Sequence, residues 1–292
     1  MLYVKLRKEA GVKTMNETDC MNILVTLDAN YILPLRVLLY SMLRADPAAR
    51  YAVYVAHSSL TDMDFSRIRK GIECSRLAVI PLAVPPELLA DAPVLKRLTK
   101  ASYYRLIAPS FLPQDVERIL YLDPDITVLR SLRPFYNTDL KGHYIAAAGH
   151  MEGILRRFNL RRLGIRHNAD YVNSGVLLMD VTKLRALDNN EEIFAFVRDN
   201  ARRLLLGDQD TVNAFYDGHI LCVDTLRYNL DEKVYARCRT HGTIDKDWVR
   251  DHTVIVHYDG ADKPWKPPYK GRLGAFFFRM QRELEASAGE TV

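Results

Sequence analysis

No apolar run in this sequence approaches the roughly 18–20 residues that a membrane span needs. The longest stretches are interrupted by Pro34, Arg36 or Asp180. Met1–Asn16 is basic and mixed and holds no apolar h-region, so no secretory signal is expected there. The four cysteines, Cys20, Cys74, Cys222 and Cys238, are scattered without C-x-x-C spacing. Their scatter argues against a disulfide frame or zinc site and for reduced thiols in a cytoplasmic protein. Neither G-x-G-x-x-G nor G-x-x-x-x-G-K-[ST] occurs, which removes the main sequence support for dinucleotide oxidoreductases and P-loop enzymes. Charge of one sign is scarce as well. The net is +5, and nothing resembles a nucleic-acid module.

What remains is an ordinary globular composition, 48% hydrophobic and 26% charged over 292 residues, enough to bury a substantial core. The first half alternates strand and helix. Asn22–Leu27, Tyr51–Ala56, Ala78–Pro81 and Arg118–Leu122 read as strands. Pro34–Leu43 reads as a helix with Pro in its first turn, and Thr61 as the cap of a helix running to Cys74. A further helix is expected over Ala101–Ala108, ended by Pro109. Beyond these, His143–Ala148, Val172–Met179 and Thr253–His257 read as strands and Glu191–Leu206 as a helix. The pattern predicts a doubly wound, mostly parallel sheet, which binds ligands outside the carboxyl ends of its strands. Without a linker, repeat or low-complexity segment, one continuous domain over 21–270 is expected. Residues 1–20 read as an N-terminal extension and 271–292 as a basic, aromatic tail.

The most informative stretch is Ile119-Leu120-Tyr121-Leu122-Asp123-Pro124-Asp125, an apolar strand running into two carboxylates. Such a pair at a sheet edge suits Mg²⁺ or Mn²⁺, which usually takes further ligands from water and substrate phosphates. Asp62-Met63-Asp64, Asp208-Gln209-Asp210 and Asp245-Lys246-Asp247 share the spacing, and composition alone predicts roughly two chance occurrences. Only the first follows such a strand. Asp62 and Asp64 have a plainer account in the first turn of a helix, where the dipole favours negative charge.

Four other segments stand out. Tyr171-Val172-Asn173-Ser174-Gly175 places an amide, a hydroxyl and a glycine at the mouth of an apolar strand. Gly207-Asp208-Gln209-Asp210 opens a helix, where Asp208 has the alternative role of N-cap. Ser102-Tyr103-Tyr104-Arg105 offers one arginine on an amphipathic segment. His257-Tyr258-Asp259-Gly260-Ala261-Asp262-Lys263-Pro264-Trp265 follows a buried strand with a glycine loop open to a phosphate.

In order and spacing these motifs resemble glycosyltransferase family 8 over roughly residues 22–270. That family comprises retaining enzymes including lipopolysaccharide galactosyl- and glucosyltransferases and glycogenin. The resemblance implies a GT-A fold, a Rossmann-like α/β sheet flanked by helices with a smaller C-terminal acceptor and tail region. It also implies UDP-glucose or UDP-galactose as donor, with Mn²⁺ and, as the alternative, Mg²⁺. Asp123, Asp125 and His257 match the family's metal ligands, and Lys263 with loop amides near Gly260 matches the diphosphate clamp. Asp28, Asn30 and Tyr31 match the uridine loop, with Thr26 before them where many members carry a small residue. Arg105, Asn173 with Ser174, Asp208 and Gln209 match the donor-sugar contacts. Gln209 is a poor nucleophile, so same-face attack by the acceptor fits better than double displacement.

The leading expectation is therefore a transferase acting on a cell-surface saccharide or glycolipid acceptor, working in the cytoplasm or peripherally at the inner membrane face. A nucleotide-sugar hydrolase, a self-glucosylating primer using one of the 16 tyrosines, and a non-catalytic nucleotide-sugar binding protein are the alternatives. Two basic segments have two readings each. Arg156, Arg157, Arg161, Arg162 and Arg166 bracket Phe158, Leu160, Leu163 and Ile165, either as a solvated helix face or as a platform for an anionic acceptor or membrane. In the tail, Phe276, Phe277 and Phe278 with Lys270, Arg272, Arg279 and Arg282 are membrane anchors or a helix packed on the domain.

Overall fold

The computed structural model describes residues 20–72, 74–95, 98, 100–151, 153–165 and 170–289. The expected extension, apart from Cys20, and Arg166 lie outside the described residues. Among these residues the strands are β1 (Cys20–Thr26), β2 (Arg50–His57), β3 (Leu77–Ala83), β4 (Arg118–Leu122), β5 (Ile126–Val128), β6 (Ile145–Met151), β7 (Tyr171–Asp180), β8 (Ile220–Val223) and β9 (Ile255–His257). The helices that matter below are α1 (Ile32–Ala45), α2 (Asp62–Arg69), α3 (Gly153–Leu163), α4 (Asn190–Asn200), α5 (Asp208–Phe215) and α6 (Gly274–Ser287).

Seven strands form one sheet in the order β3-β2-β1-β4-β7-β6-β8, and β5 with β9 forms a separate two-stranded ribbon. The neighbours β3, β2, β1 and β4 are all parallel, as is the β6–β8 pair, while β7 runs antiparallel to both β4 and β6. The sheet is mostly parallel but mixed. Its strands are apolar on both sides because both faces are covered. Ile23, Val25, Val53, Leu120, Val176 and Leu178 enter one buried cluster with α1 and α6. Their sequence neighbours Leu24, Tyr54, Ile119, Tyr121, Leu177 and Met179 enter a second cluster on the opposite face.

Some elements depart from the sequence reading. The continuous helix expected over Ala101–Ala108 is instead a 3-10 segment, Lys100–Arg105, followed by a single helical turn, Ala108–Phe111. Pro109 opens that second turn, where its missing N–H costs nothing, and does not close the first. The helix expected to run to Cys74 stops at Arg69, followed by Gly71 with φ 79°. Its start is as expected, since Thr61 and Asp64 form a reciprocal capping box. The helix expected through Leu206 ends at Asn200, and the Leu206 N–H turns to the Asp210 carboxylate at 2.7 Å.

The C-terminal helix α6 packs on the domain. Leu273, Phe277 and Leu284 are fully buried, and Phe277 meets the rings of Tyr258 and Trp265 at 5.8 and 5.6 Å. Of the three phenylalanines read as anchors, Phe277 is therefore committed to the core and Phe276 packs partly against it, leaving Phe278 36% exposed. Phe277→Ala should lower unfolding free energy by about 3–5 kcal/mol, the usual range for a buried aromatic. Phe278→Ala should cost about 1 kcal/mol or less, as expected near a surface. Denaturant unfolding of the two variants checks the contrast.

Candidate active site

The site forms where the carboxyl end of β4 meets the ribbon. Asp123 leaves β4 with its N–H bonded to the Gly175 carbonyl of β7 at 2.8 Å. Two residues on, β5 pairs with β9 so that Ile126 lies opposite His257, and the Tyr258 N–H holds the Asp125 carbonyl at 2.9 Å. This backbone pairing carries His257 to the two carboxylates. His257 Nε2 lies 3.3 Å from Asp125 Oδ1 and 3.8 Å from Asp123 Oδ2.

Each carboxylate divides its oxygens. Asp123 Oδ1 accepts from the Tyr121 hydroxyl at 2.6 Å and pairs with Arg105 Nη2 at 2.9 Å. Asp125 Oδ2 pairs with Lys263 Nζ at 2.6 Å, and that ammonium also donates to the Tyr258 carbonyl at 2.6 Å. The other two oxygens face the imidazole. His257 Nδ1 lies 2.9 Å from Asn229 Oδ1, an amide oxygen that only accepts, so Nδ1 carries the proton. Nε2 is buried without a hydrogen-bond partner. Three donor atoms thus converge within 4.8 Å of one another. One imidazole nitrogen with two carboxylate oxygens suits a first-row divalent ion such as Mn²⁺ better than Ca²⁺. A side chain at Gly175 would press into His257 Cε1 and Asp123 Oδ2, so the glycine keeps this cradle open.

Electrostatics explain why the cradle is poised. Burial alone would lower the His257 pKa, but Asp125, Asp259 and Asp123 outweigh it and hold it at about 9. Burial would raise Asp125, and the His257 and Lys263 charges drive it far below the usual carboxylate range. A divalent cation entering here must displace the Nε2 proton, so metal binding releases protons and strengthens as pH rises toward 9.

The crevice above the cradle encloses about 610 Å³, within the usual range for a small-molecule site. Thr26, Asp28, Tyr31, Arg105, Asp123, Asp125, Asn173, Ser174, Asp208, Gln209, His257 and Lys263 all line it. Asn30 and Gly260 do not. Asn30 is exposed in a 3-10 turn where its N–H donates to Asp28 Oδ1 at 2.8 Å, and Gly260 faces open space. The N-cap of α5 is Gly207, with φ 59° and no side-chain cap bond, and Asp208 is the first residue of the helix itself. The cap alternative for Asp208 therefore fails. Its Oδ2 instead accepts from Ser174 Oγ at 2.9 Å and pairs with Arg105 Nη1 at 3.2 Å. Burial raises the Asp208 pKa despite that arginine.

Sequence reasoning missed several residues. Tyr121 links Thr26 Oγ1, at 3.0 Å, to Asp123, with Arg105 stacked 4.6 Å above its ring. Its place two residues before Asp123 on one strand face was the available signal. Asn229 orients His257 from a distant loop and left no signal. His150, Asp231 and Asp259 form a second donor group, with His150 Nδ1 3.6 Å from Asp259 and 3.9 Å from Asp231. Asp231 is also the N-cap of the helix Glu232–Thr240, which accounts for its burial.

With this geometry in view, the likenesses to known proteins fall into place. A solved galactosyltransferase, LgtC, in complex with donor and acceptor sugar analogues superposes with a TM-score of 0.77 at 24% identity, covering 93% of this chain and 100% of that one. The fold is therefore the GT-A-like α/β fold. The sequence pattern of glycosyl transferase family 8 matches residues 22–267, and the chain belongs to that family. It is a glycosyltransferase. General stress protein A of Bacillus subtilis is 24% identical over 273 residues, 88% of this chain and 92% of that protein. Lipopolysaccharide 1,2-glucosyltransferase of Escherichia coli K12 is 24% identical over 253 residues, 86% of this chain and 74% of that protein.

Two substitutions isolate the cradle from the rest of the crevice. Asn229→Ala should weaken Mn²⁺ binding about 10–100-fold, the usual effect of removing a ligand's orienting partner. Gly175→Ala should weaken it at least as much. Calorimetric Mn²⁺ titration checks both, and unchanged affinity in both would remove His257 from the ligand set.

Proposed function

We propose that the protein is a metal-dependent, retaining hexosyltransferase. It moves glucose or galactose from a UDP-sugar to a saccharide acceptor, a lipopolysaccharide-like cell-surface glycan. The observation that carries this reading is the convergence of Asp123 Oδ2, Asp125 Oδ1 and the buried His257 Nε2 beside Lys263 and Arg105. The names of the relatives support the hexose class without choosing between the two sugars. Among the described residues no helix is long and apolar enough to cross a membrane. Work in the cytoplasm, where nucleotide sugars are available, is part of the proposal.

Asp123, Asp125 and His257 would hold Mn²⁺, which as a Lewis acid neutralises charge on a diphosphate leaving group. The chain's own residues do the rest. Lys263 is a cation fixed at the same edge. Burial would lower its pKa, but Asp125 keeps it raised and therefore charged. It can turn from Asp125 to the β-phosphate as the glycosidic bond breaks, aimed where charge develops. Tyr31 stands in contact with Trp265, ring centroids 5.8 Å apart, and offers a face for the uracil. Arg105 locks Asp208 and Asp123 on either side of Ser174. With its carboxylate engaged in this way, Asp208 serves to accept donor-sugar hydroxyls and is not a free nucleophile. Gln209, an amide, supports the oxocarbenium-like carbon without forming a stable bond to it.

The acceptor hydroxyl oxygen then bonds to the anomeric carbon on the face from which UDP departs. The electron pair of the broken bond stays on the phosphate oxygen, which takes the hydroxyl proton. Hydrolysis is the same step with water in an open acceptor position.

The test is UDP release from UDP-glucose and UDP-galactose with Mn²⁺, with and without saccharide acceptors. Release should require the metal and rise with the right acceptor, and the product should retain the donor's anomeric configuration by NMR. Asp125→Ala should cut turnover about 100-fold or more, the scale of a lost electrostatic stabiliser. Asp62→Ala, at the exposed start of α2, should leave turnover unchanged. Equal behaviour of the two variants would overturn the reading.

A further inference from the structure

Helix α3 has an outward face that its own domain does not explain. Asn159, Leu160 and Leu163 point inward and are buried. On the other side Ile154, Leu155 and Phe158 are 76, 64 and 58% exposed, whereas a surface helix normally turns polar residues to water. Arg157 and Arg161 are exposed between them and make no ion pair among the described residues. Ile154, Arg157, Phe158 and Arg161 follow the three- and four-residue spacing that puts side chains on one helix face. No acidic residue occurs anywhere in α3.

A second segment extends the patch. Arg203 Nε donates to the Arg162 carbonyl at 2.6 Å, and Arg162 Nη1 donates back to the Arg203 carbonyl. These bonds set Arg202, exposed, and Leu205, 49% exposed, beside the end of α3. Clustered apolar side chains of this size mark an interaction surface. Arg156 of α3 is paired at 3.1 Å with Asp170, which leaves Arg157 and Arg161 as the exposed cations among these apolar side chains, and that combination complements an anionic, partly apolar surface. A second copy fits poorly, because like faces would set arginines against arginines.

The patch is tied to the crevice. Arg162 pairs through both terminal nitrogens, at 2.8 Å each, with the fully buried Asp210 carboxylate, which also accepts from the Tyr171 hydroxyl at 2.6 Å. Asp210 follows Gln209 on α5, and His150 and Leu206, close to either segment of the patch, line the crevice.

We propose that the outer face of α3, with Arg202 and Leu205 beside it, docks the enzyme on an anionic lipid bilayer and sets the crevice mouth at that surface. This goes beyond the transferase reading and is tested without turnover, so either can fail alone. The full chain is sedimented with phosphatidylcholine vesicles, with and without phosphatidylglycerol, at low and high salt. It should pellet only with the anionic vesicles and be released by salt. Arg157→Gln with Arg161→Gln should reduce partition about tenfold or more, since each basic residue contributes separately. Leu155→Ser with Phe158→Ser should abolish it at low salt. The tail variant Arg279→Gln with Arg282→Gln should bind normally, and all variants should melt like the parent. Full-length protein left in the supernatant at low salt overturns the proposal. So does loss of binding in the tail variant with both α3 variants unaffected. A light-scattering dimer that Phe158→Ser dissolves, without vesicle binding, assigns the face to self-association and overturns it as well.

Discussion

The pairing of β5 with β9 is the constraint on which the site depends. It sets Ile126 opposite His257, and with it an imidazole from late in the chain reaches the two carboxylates that follow β4. Around that junction each carboxylate gives one oxygen to a fixed cation and turns the other toward Nε2. Arg105, Lys263 and Tyr121 therefore hold the donor set in place without saturating it. Were both oxygens of each carboxylate engaged, the cradle would be a closed salt-bridge network. Were neither held, the two neighbouring carboxylates would repel one another.

The same junction connects the site to parts of the molecule far from the chemistry. Lys263 lies 5.9 Å from the Trp265 ring, Trp265 packs on Phe277, and Phe277 belongs to the helix that covers one face of the sheet. The C-terminal segment thus buttresses the Lys263 end of the crevice. At the opposite end Asp210 anchors α5 to α3 through Arg162, which fixes Gln209 relative to the outward apolar and basic face. The two ends of the crevice are thus braced from behind, by Trp265 on Phe277 at one and by Arg162 on Asp210 at the other.

Much of this was legible in the sequence, for identifiable reasons. Strand β4 and its carboxylates stood out because a dry strand and an acidic pair are both local signals. The Thr61–Asp64 capping box was readable for the same reason. What local pattern could not reveal was partnership across the chain. Asn229 beside His257, the Arg162–Asp210 pair, and His150 with Asp231 and Asp259 are products of tertiary pairing between loops and helix starts. Asp208 looked like a helix cap because its position is a capping one, until Gly207 took that role with a positive φ and freed the carboxylate for Arg105 and Ser174. The helix expected over Ala101–Ala108 failed because Pro109 reads as a stop signal when it is in fact a start signal. The phenylalanine-rich tail was ambiguous on composition alone, and the burial of Phe277 decides for packing at that residue.

The central claim, that His257 and the paired carboxylates share one divalent ion with the donor diphosphate, is tested most directly by pulsed electron paramagnetic resonance on the Mn²⁺ complex with UDP. The account predicts a directly bonded ¹⁴N coupling from one imidazole together with ³¹P coupling from the diphosphate, the nitrogen signal vanishing in His257→Ala. A complex with ³¹P coupling and no bonded nitrogen would contradict it.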